Sequence, residues 1–227
     1  MLESDILRIV CAGTILAIAS FLDFKYREIH DKFWLASGII TGLIILIFYN
    51  HIAFDAIAIS LLIMVPVSLM LWKIGFFGGA DSFALIILAA LIPQISLVEA
   101  TLMPFTILTN SLVLIVIPVF FNVFYNSWLL LKKEVIFEGF CESRYRKIVA
   151  FLIGYRSKNP KFGFIMQKGI DGKKKFLFEF HNAEQAEFCR ERDVWVTPGL
   201  PFLILILGGF LVQIFYGDFM TRAFLQF

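Results

Sequence analysis

The sequence predicts an α-helical polytopic membrane protein: six transmembrane helices with a small α+β cytoplasmic lobe between helices five and six. Three observations carry this reading. Hydrophobic residues make up 59% of the chain, against about 45–50% in soluble domains, and mean hydropathy is +0.84. Six apolar runs approach the roughly 20 residues that a helix needs to cross a bilayer. A single sizeable hydrophilic stretch, 132–196, separates the fifth run from the sixth.

The runs cover residues 6–24, 33–49, 52–74, 82–97, 102–131 and 198–216. The fourth is short and carries Pro93, whereas the fifth is long enough to tilt or to start outside the hydrocarbon core. Glu3 and Asp5 precede the first run, where a secretory signal would place basic residues, so this run reads as a retained helix. Residues 1–131 therefore hold helices one to five, 132–196 a soluble lobe, and 197–227 the sixth helix and tail. Basic residues set the orientation. With Met1 outside, Lys25, Arg27, Lys32 and Lys73 fall inside, together with 14 Lys and Arg between Lys132 and Arg192; only Arg8 and Arg222 stay outside. The lobe is thereby cytoplasmic in a multi-pass protein of the cell membrane.

Within the lobe, 142–155 is compatible with helix or strand. Segments 162–168 and 173–180 flank Gly169-Ile170-Asp171-Gly172 and read as a hairpin with Asp-Gly at its tip. Asn182 is placed to cap a short helix reaching Arg190. The basic tract Lys173, Lys174 and Lys175 falls at a strand start or against anionic headgroups. Trp195 is expected at the membrane interface as the chain re-enters the bilayer.

Carboxylates are scarce in the apolar runs, and two stand out. Asp23 closes the first run and Asp81 opens the fourth, on the same side of the membrane and at similar depth. An acid near membrane depth is costly and marks a functional site. Two carboxylates sharing one proton are the machinery of an aspartyl protease. The ionised one draws a proton from a water held between them, and the protonated one polarises the scissile carbonyl. Should the first helix continue past the membrane, Asp23, Tyr26 and Arg27 share one of its faces. Gly75, Gly78 and Gly79, followed by Ala80, allow close backbone approach or positive φ beside Asp81, in a stretch suited to receiving a substrate strand. Taken singly, Asp23 also fits a solvated loop and Asp81 a helix cap. A closure that brings the acids together when substrate binds is a further expectation.

Asp55 and Glu99 read as interfacial. Asn110, Ser111, Asn122, Asn126 and Gln213 read as interhelical hydrogen-bonding groups. Cys11, Cys141 and Cys189 form no CxxC, and His30, His51 and His181 share no metal spacing, so no metal and no cofactor is expected. No phosphate loop, dinucleotide fingerprint or serine elbow is present, and no nucleic-acid partner is implied. Glu179, Glu184, Glu187 and Glu191 read as a solvated helix face, with a basic leader peptide as their alternative ligand.

Asp23-Phe-Lys-Tyr-Arg27-Glu28-Ile29-His-Asp31 resembles the first-aspartate signature of the type IV prepilin peptidases, in which Arg follows the Asp by four residues. Gly78-Gly79-Ala80-Asp81 resembles their GxGD element, and six spans with a lobe before the last resemble the archaeal preflagellin peptidases in particular. The resemblance covers nearly the whole chain. It implies a membrane aspartyl endopeptidase with Asp23 and Asp81 as its dyad, supported by Arg27, Gly78, Gly79 and Ala80. Its partners would be preflagellin or prepilin substrates and the bilayer. Short basic leaders would be cut at the cytoplasmic face after a small residue, usually Gly. Two departures are visible: Phe83 stands where many members have Lys, and Ala80 replaces the second Gly. A zinc-type cysteine cluster of the bifunctional members is missing, which implies peptidase activity without methyltransferase activity.

Other classes compete with this reading. A proton-coupled transporter component would use the same two Asp as relays, but it predicts midplane acids and repeated halves, and neither is seen. A non-catalytic scaffold leaves two costly carboxylates unexplained. A presenilin-like protease would have Tyr before the first Asp, where Leu22 stands.

Overall fold

The computed structural model describes residues 3–49, 53–93, 103–170, 173–178, 187–219 and 222. The chain is mostly helical with a small sheet region. Its helices are α1 (Glu3–Tyr26), α2 (Asp31–Ile47), α3 (Phe54–Lys73), α4 (Gly79–Leu91), α5 (Met103–Leu114), α6 (Val116–Leu131), α7 (Arg144–Ile153) and α8 (Phe202–Phe215). The strands are β1 (Tyr155–Ser157), β2 (Gly163–Ile165), β3 (Gln167–Ile170), β4 (Lys173–Phe176) and β5 (Val194–Pro198). Among the described residues, three helical runs are long and apolar enough to cross a membrane: Ser4–Tyr26, Phe54–Lys73 and Met103–Leu131. The apolar helices α4 and α8 are shorter.

Two compact units emerge, one comprising Met1–Leu114 with Pro201–Phe227 and the other Ile115–Leu200. In the first, α4 is the central helix and contacts α1, α2, α3, α5 and α8. Asp81, Ser82, Ala84, Leu85, Ile87, Leu88, Ala89 and Leu91 are all buried, so α4 is apolar nearly all round because protein surrounds it. The expected fourth run, 82–97, helical as far as Leu91, stops before Pro93; residues 94–102, Glu99 among them, lie outside the described residues. α5 and α8 approach most closely at Gly209, where a built Cβ would lie 2.3 Å from Ser111 Oγ and 2.5 Å from the Ile107 carbonyl oxygen. Asn110 extends this contact by donating to Gln213 Oε1 at 3.1 Å, the interhelical bond expected for both residues. Ser111 instead donates within its own helix, to the Ile107 carbonyl.

The expected fifth run is two helices rather than one. Its break falls at Ile115, and Pro118 explains it: proline has no N–H for the Leu114 carbonyl, and its ring crowds that oxygen. In the second unit β5 pairs antiparallel with β1 and with β2, and β3 pairs with β4 in a separate two-stranded ribbon. The pairing of Ile170 with Lys173 leaves Asp171-Gly172 between the strands, although those two residues lie outside the described ones. The expected first hairpin strand, 162–168, divides at Met166. Its first half joins β5, its second half forms the ribbon, and Met166 is buried between them, donating its N–H to the Trp195 carbonyl at 3.0 Å. The open segment 142–155 resolves as helix α7. The expected helix from Asn182 lies outside the described residues as far as 186, and 187–190 is not helical.

Trp195 corrects its sequence reading. It is fully buried, packs with Leu129, Ile136, Phe140, Ala150, Met166 and Phe176, and donates its indole N–H to the Ile136 carbonyl at 2.7 Å. β5 is the centre strand, which places its residues in the core rather than at an interface. Arg156 and Asp193 close the edge of this sheet with a two-pronged ion pair at 2.7 and 2.6 Å.

Two stability predictions follow from this packing. Gly209→Ala should destabilise by about 1–3 kcal/mol through overpacking, whereas Gly42→Ala, which meets nothing within 4 Å, should be neutral or slightly stabilising in thermal unfolding in detergent. The Arg156 guanidinium holds Asp193 below the ordinary carboxylate range. A depressed acid contributes stability above its unfolded pKa of about 3.9 and loses it as pH falls through the folded value. The second unit should therefore lose roughly 0.2–1 kcal/mol on that acid limb, a loss that Asp193→Asn removes; the melting temperature followed against pH checks it.

Candidate active site

Asp23 sits in the last turn of α1, half-buried. The helix does not continue far enough to align Asp23, Tyr26 and Arg27 on one face. It ends at Tyr26, and Arg27 takes a left-handed φ of 58° while its N–H still reaches the Asp23 carbonyl at 2.9 Å. Tyr26 turns outward, with Lys25 Nζ 4.8 Å from its ring centre. The Arg27 guanidinium nevertheless interacts electrostatically with the Asp23 carboxylate, so the turn delivers the pairing that a longer helix was expected to give.

The start of α8 faces the same carboxylate. The Leu203 N–H donates to the Asp23 carboxylate, and the Leu203 carbonyl accepts from Ser20 Oγ at 2.9 Å. Ser20 and Asp23 are three residues apart and lie on one helix face, so α1 grips one peptide residue of α8 from both sides. The Leu203 N–H is among the first four of α8, which have no partner inside their own helix.

Asp81 occupies the third position of α4 and is 8% exposed. Gly78 donates its N–H to Asp81 Oδ2 at 3.0 Å, half of a capping box. Ser82 next to it is buried and donates to the Ser68 carbonyl of α3 at 3.0 Å, which fixes the rotation of α4. The glycines divide by role. Gly75, with φ of 85°, ends α3 in a Schellman turn, its N–H bonding the Trp72 carbonyl and that of Phe76 the Leu71 carbonyl. Gly78 is extended at φ −75° and ψ 162°, a conformation open to any residue, and Gly79 is already helical. The stretch between α3 and α4 is thus a tight, irregular turn. Ala80 packs against the core of the first unit. Phe83 stacks on Trp34 of α2 with ring centres 6.0 Å apart.

Asp23 and Asp81 lie within electrostatic reach of each other, inside one unit in which α1, α4 and α8 pack mutually. Each carboxylate stands at the start of a helix, Asp23 facing α8 and Asp81 capping α4, and each accepts a backbone N–H. Sequence reasoning missed Ser20 and Leu203. A backbone donor has no residue-type signature, and Ser20 reads as an ordinary small residue in an apolar run.

Apolar helices of spanning length and two carboxylates within electrostatic reach of each other define a polytopic membrane protein with a partly buried acidic pair. A family model described as the type IV leader peptidase family matches residues 10–132, more than half of the sequence and including both acids. The chain belongs to this family and is a membrane protease. A second model, described as the archaeal peptidase A24 C-terminus type II, matches residues 156–219. The preflagellin peptidase of Methanocaldococcus jannaschii is 26% identical over 228 residues, covering 93% of this chain and 94% of that one. The preflagellin peptidase of Methanococcus maripaludis is 26% identical over 214 residues, covering 89% and 92%.

The capping geometry separates two substitutions at one position. Asp23→Asn keeps an oxygen acceptor for the Leu203 N–H and should melt close to the parent protein. Asp23→Ala leaves that donor unpaired and should cost about 1–3 kcal/mol, read as a lower melting temperature in detergent.

Proposed function

We propose that the protein is an aspartyl endopeptidase that removes short basic leader peptides from preflagellin- or prepilin-type substrates at the cytoplasmic face of the membrane. The observation that carries the proposal is the approach of Asp23 to Asp81 in a unit where almost every other buried side chain is apolar or a small hydroxyl. In this mechanism the two carboxylates share one proton and hold a water between them. The ionised carboxylate takes a proton from the water as its oxygen attacks the scissile carbonyl, and the protonated one donates to the carbonyl oxygen. The tetrahedral intermediate then collapses, and the leaving amine takes a proton from the pair. No covalent enzyme intermediate is needed. The Leu203 and Gly78 N–H groups hold one oxygen of each carboxylate, which orients the other toward the shared water. Arg27, within electrostatic reach of Asp23, limits the net negative charge of the pair.

The six-span layout with a cytoplasmic lobe belongs to the same proposal. α2, at 17 residues, lies at the lower end of the spanning range, and α4 and α8 are shorter still. α4 is about 20 Å long at 1.5 Å per residue, shorter than the roughly 30 Å hydrocarbon core. Preflagellin-type substrates are supported by both relatives, preflagellin peptidases whose similarity runs nearly end to end. Peptidase activity without methyltransferase activity belongs to the same proposal.

The test is cleavage of a preflagellin-type substrate, with a basic leader ending in Gly, by the full chain in membranes or detergent. Asp23→Asn and Asp81→Asn should each lower the rate by about 10²–10⁴-fold or more while the protein stays folded. Full cleavage by either variant overturns the aspartyl mechanism.

A further inference from the structure

Helix α7 presents its apolar face outward. Tyr145, Ile148, Val149, Leu152 and Ile153 follow the i, i+3, i+4, i+7, i+8 spacing of a buried stripe, yet all five are exposed, from 38% to 81%. The core of the second unit takes Ala150 instead, with Phe151 packed beside it. A helix on a soluble lobe turns its apolar stripe inward, and a contiguous exposed one marks a contact surface.

Three features identify what covers it. The first turn holds Arg144, Arg146 and Lys147, against the preference of a helix N-terminus for negative charge. Arg146 is held by Glu142 at 2.8 Å and donates to the Phe176 carbonyl. Arg144, exposed and one turn before Ile148, enters no ion pair among the described residues and stands next to the stripe, whereas Lys147 lies on the core side with its Nζ 5.7 Å from the Phe137 ring centre. The far end of α7 is capped in the manner of a helix without water. Asn126 Nδ2 donates to the carbonyls of Phe151 at 2.9 Å and Gly154 at 2.8 Å, and Asn122 Nδ2 donates to that of Leu152 at 3.1 Å. Carbonyls that water would otherwise solvate are satisfied by side chains, as an apolar medium requires. Depth agrees with this. α6 carries no charge from Val116 to Leu131, and Lys132 is the first. Asn126 and Asn122 precede Lys132 by six and ten residues, or about 9–15 Å along the helix.

We propose that α7 is an interfacial membrane helix. Ile148, Val149, Leu152 and Ile153 lie in the boundary between headgroups and acyl chains, and Arg144 meets anionic headgroups. Helices of this kind sink their apolar face about 5–10 Å, and the nearer asparagine, Asn126, falls within that depth. The bilayer then holds the lobe against the membrane through a second element besides α6, whatever chemistry the first unit performs.

Spin labels on single cysteines test this in the full chain, with Cys11, Cys141 and Cys189 replaced by Ala, in liposomes containing anionic lipid. Labels at Ile148, Val149 and Leu152 should be reached several-fold better by oxygen than by a water-soluble nickel chelate, as at exposed Phe124 of α6. The reverse is expected at Lys161. Nickel access at the α7 positions equal to that at Lys161 overturns the proposal. Protection from both reagents also overturns it, because protein then covers the stripe. Arg144→Gln should make the labels shallower in anionic liposomes and not in neutral ones; an unchanged depth overturns the headgroup contact.

Discussion

A helix that begins inside an apolar bundle leaves its first N–H groups without partners, and this constraint organises the first unit. Neither α4 nor α8 starts with a Ser, Thr or Asn whose side chain caps it. Their donors are met by Asp81 and Asp23, the second acting across from another helix. A neutral acceptor would satisfy the hydrogen bonds equally well. Carboxylates bring charge as well, at a site where charge is expensive, and the two lie within reach of one another. Satisfying the backbone therefore accounts for where the acids are, and the proposed mechanism gives a use to their being acids.

Packing well away from the acids sets their spacing. Leu203 is six residues before Gly209 on α8, about 9 Å along the axis. The absence of a side chain at Gly209 lets the α5 backbone come close, and Gly208 beside it would meet Leu114 at 2.7 Å with a Cβ. That contact fixes the depth and rotation of α8, and hence where the Leu203 N–H meets Asp23. On the other side, the Ser82 bond to α3 fixes α4 and with it Asp81.

Much of this was legible in the sequence because apolar run length and isolated acids are composition-level signals. The two Asp were found from their cost in a bilayer, and the family resemblance from their neighbours. What stayed hidden depends on backbone geometry or on long-range pairing. Arg27 reaches Asp23 through a left-handed residue, not a helix face. The break at Ile115 was marked by Pro118, but a proline within a long apolar run is also compatible with a kinked continuous helix. Trp195 was misplaced because an aromatic next to an apolar run looks the same whether it faces headgroups or the centre strand of a sheet. Met166 shows the same limit, since no local pattern tells where a strand leaves one partner for another.

Asn122 and Asn126 illustrate how one signal carries two readings. Polar residues on an apolar helix were expected to bond a neighbouring span, and they do bond across to another helix. Their partner is α7, ten residues long and amphipathic, too short to span. Both asparagines are nearly fully buried, and both use Nδ2 for carbonyls at the end of α7. The identity of the donors matters here: Ser and Thr cross to another helix only where the backbones come close, as at Ser20 and Ser82, and elsewhere turn back to their own helix, as Ser37, Thr41 and Ser68 do. Asparagine is long enough to leave its own helix and terminate another. A short helix with an outward apolar face gains a fixed end that way, and its remaining freedom is the choice between water and lipid for that face, which hydrophobicity decides.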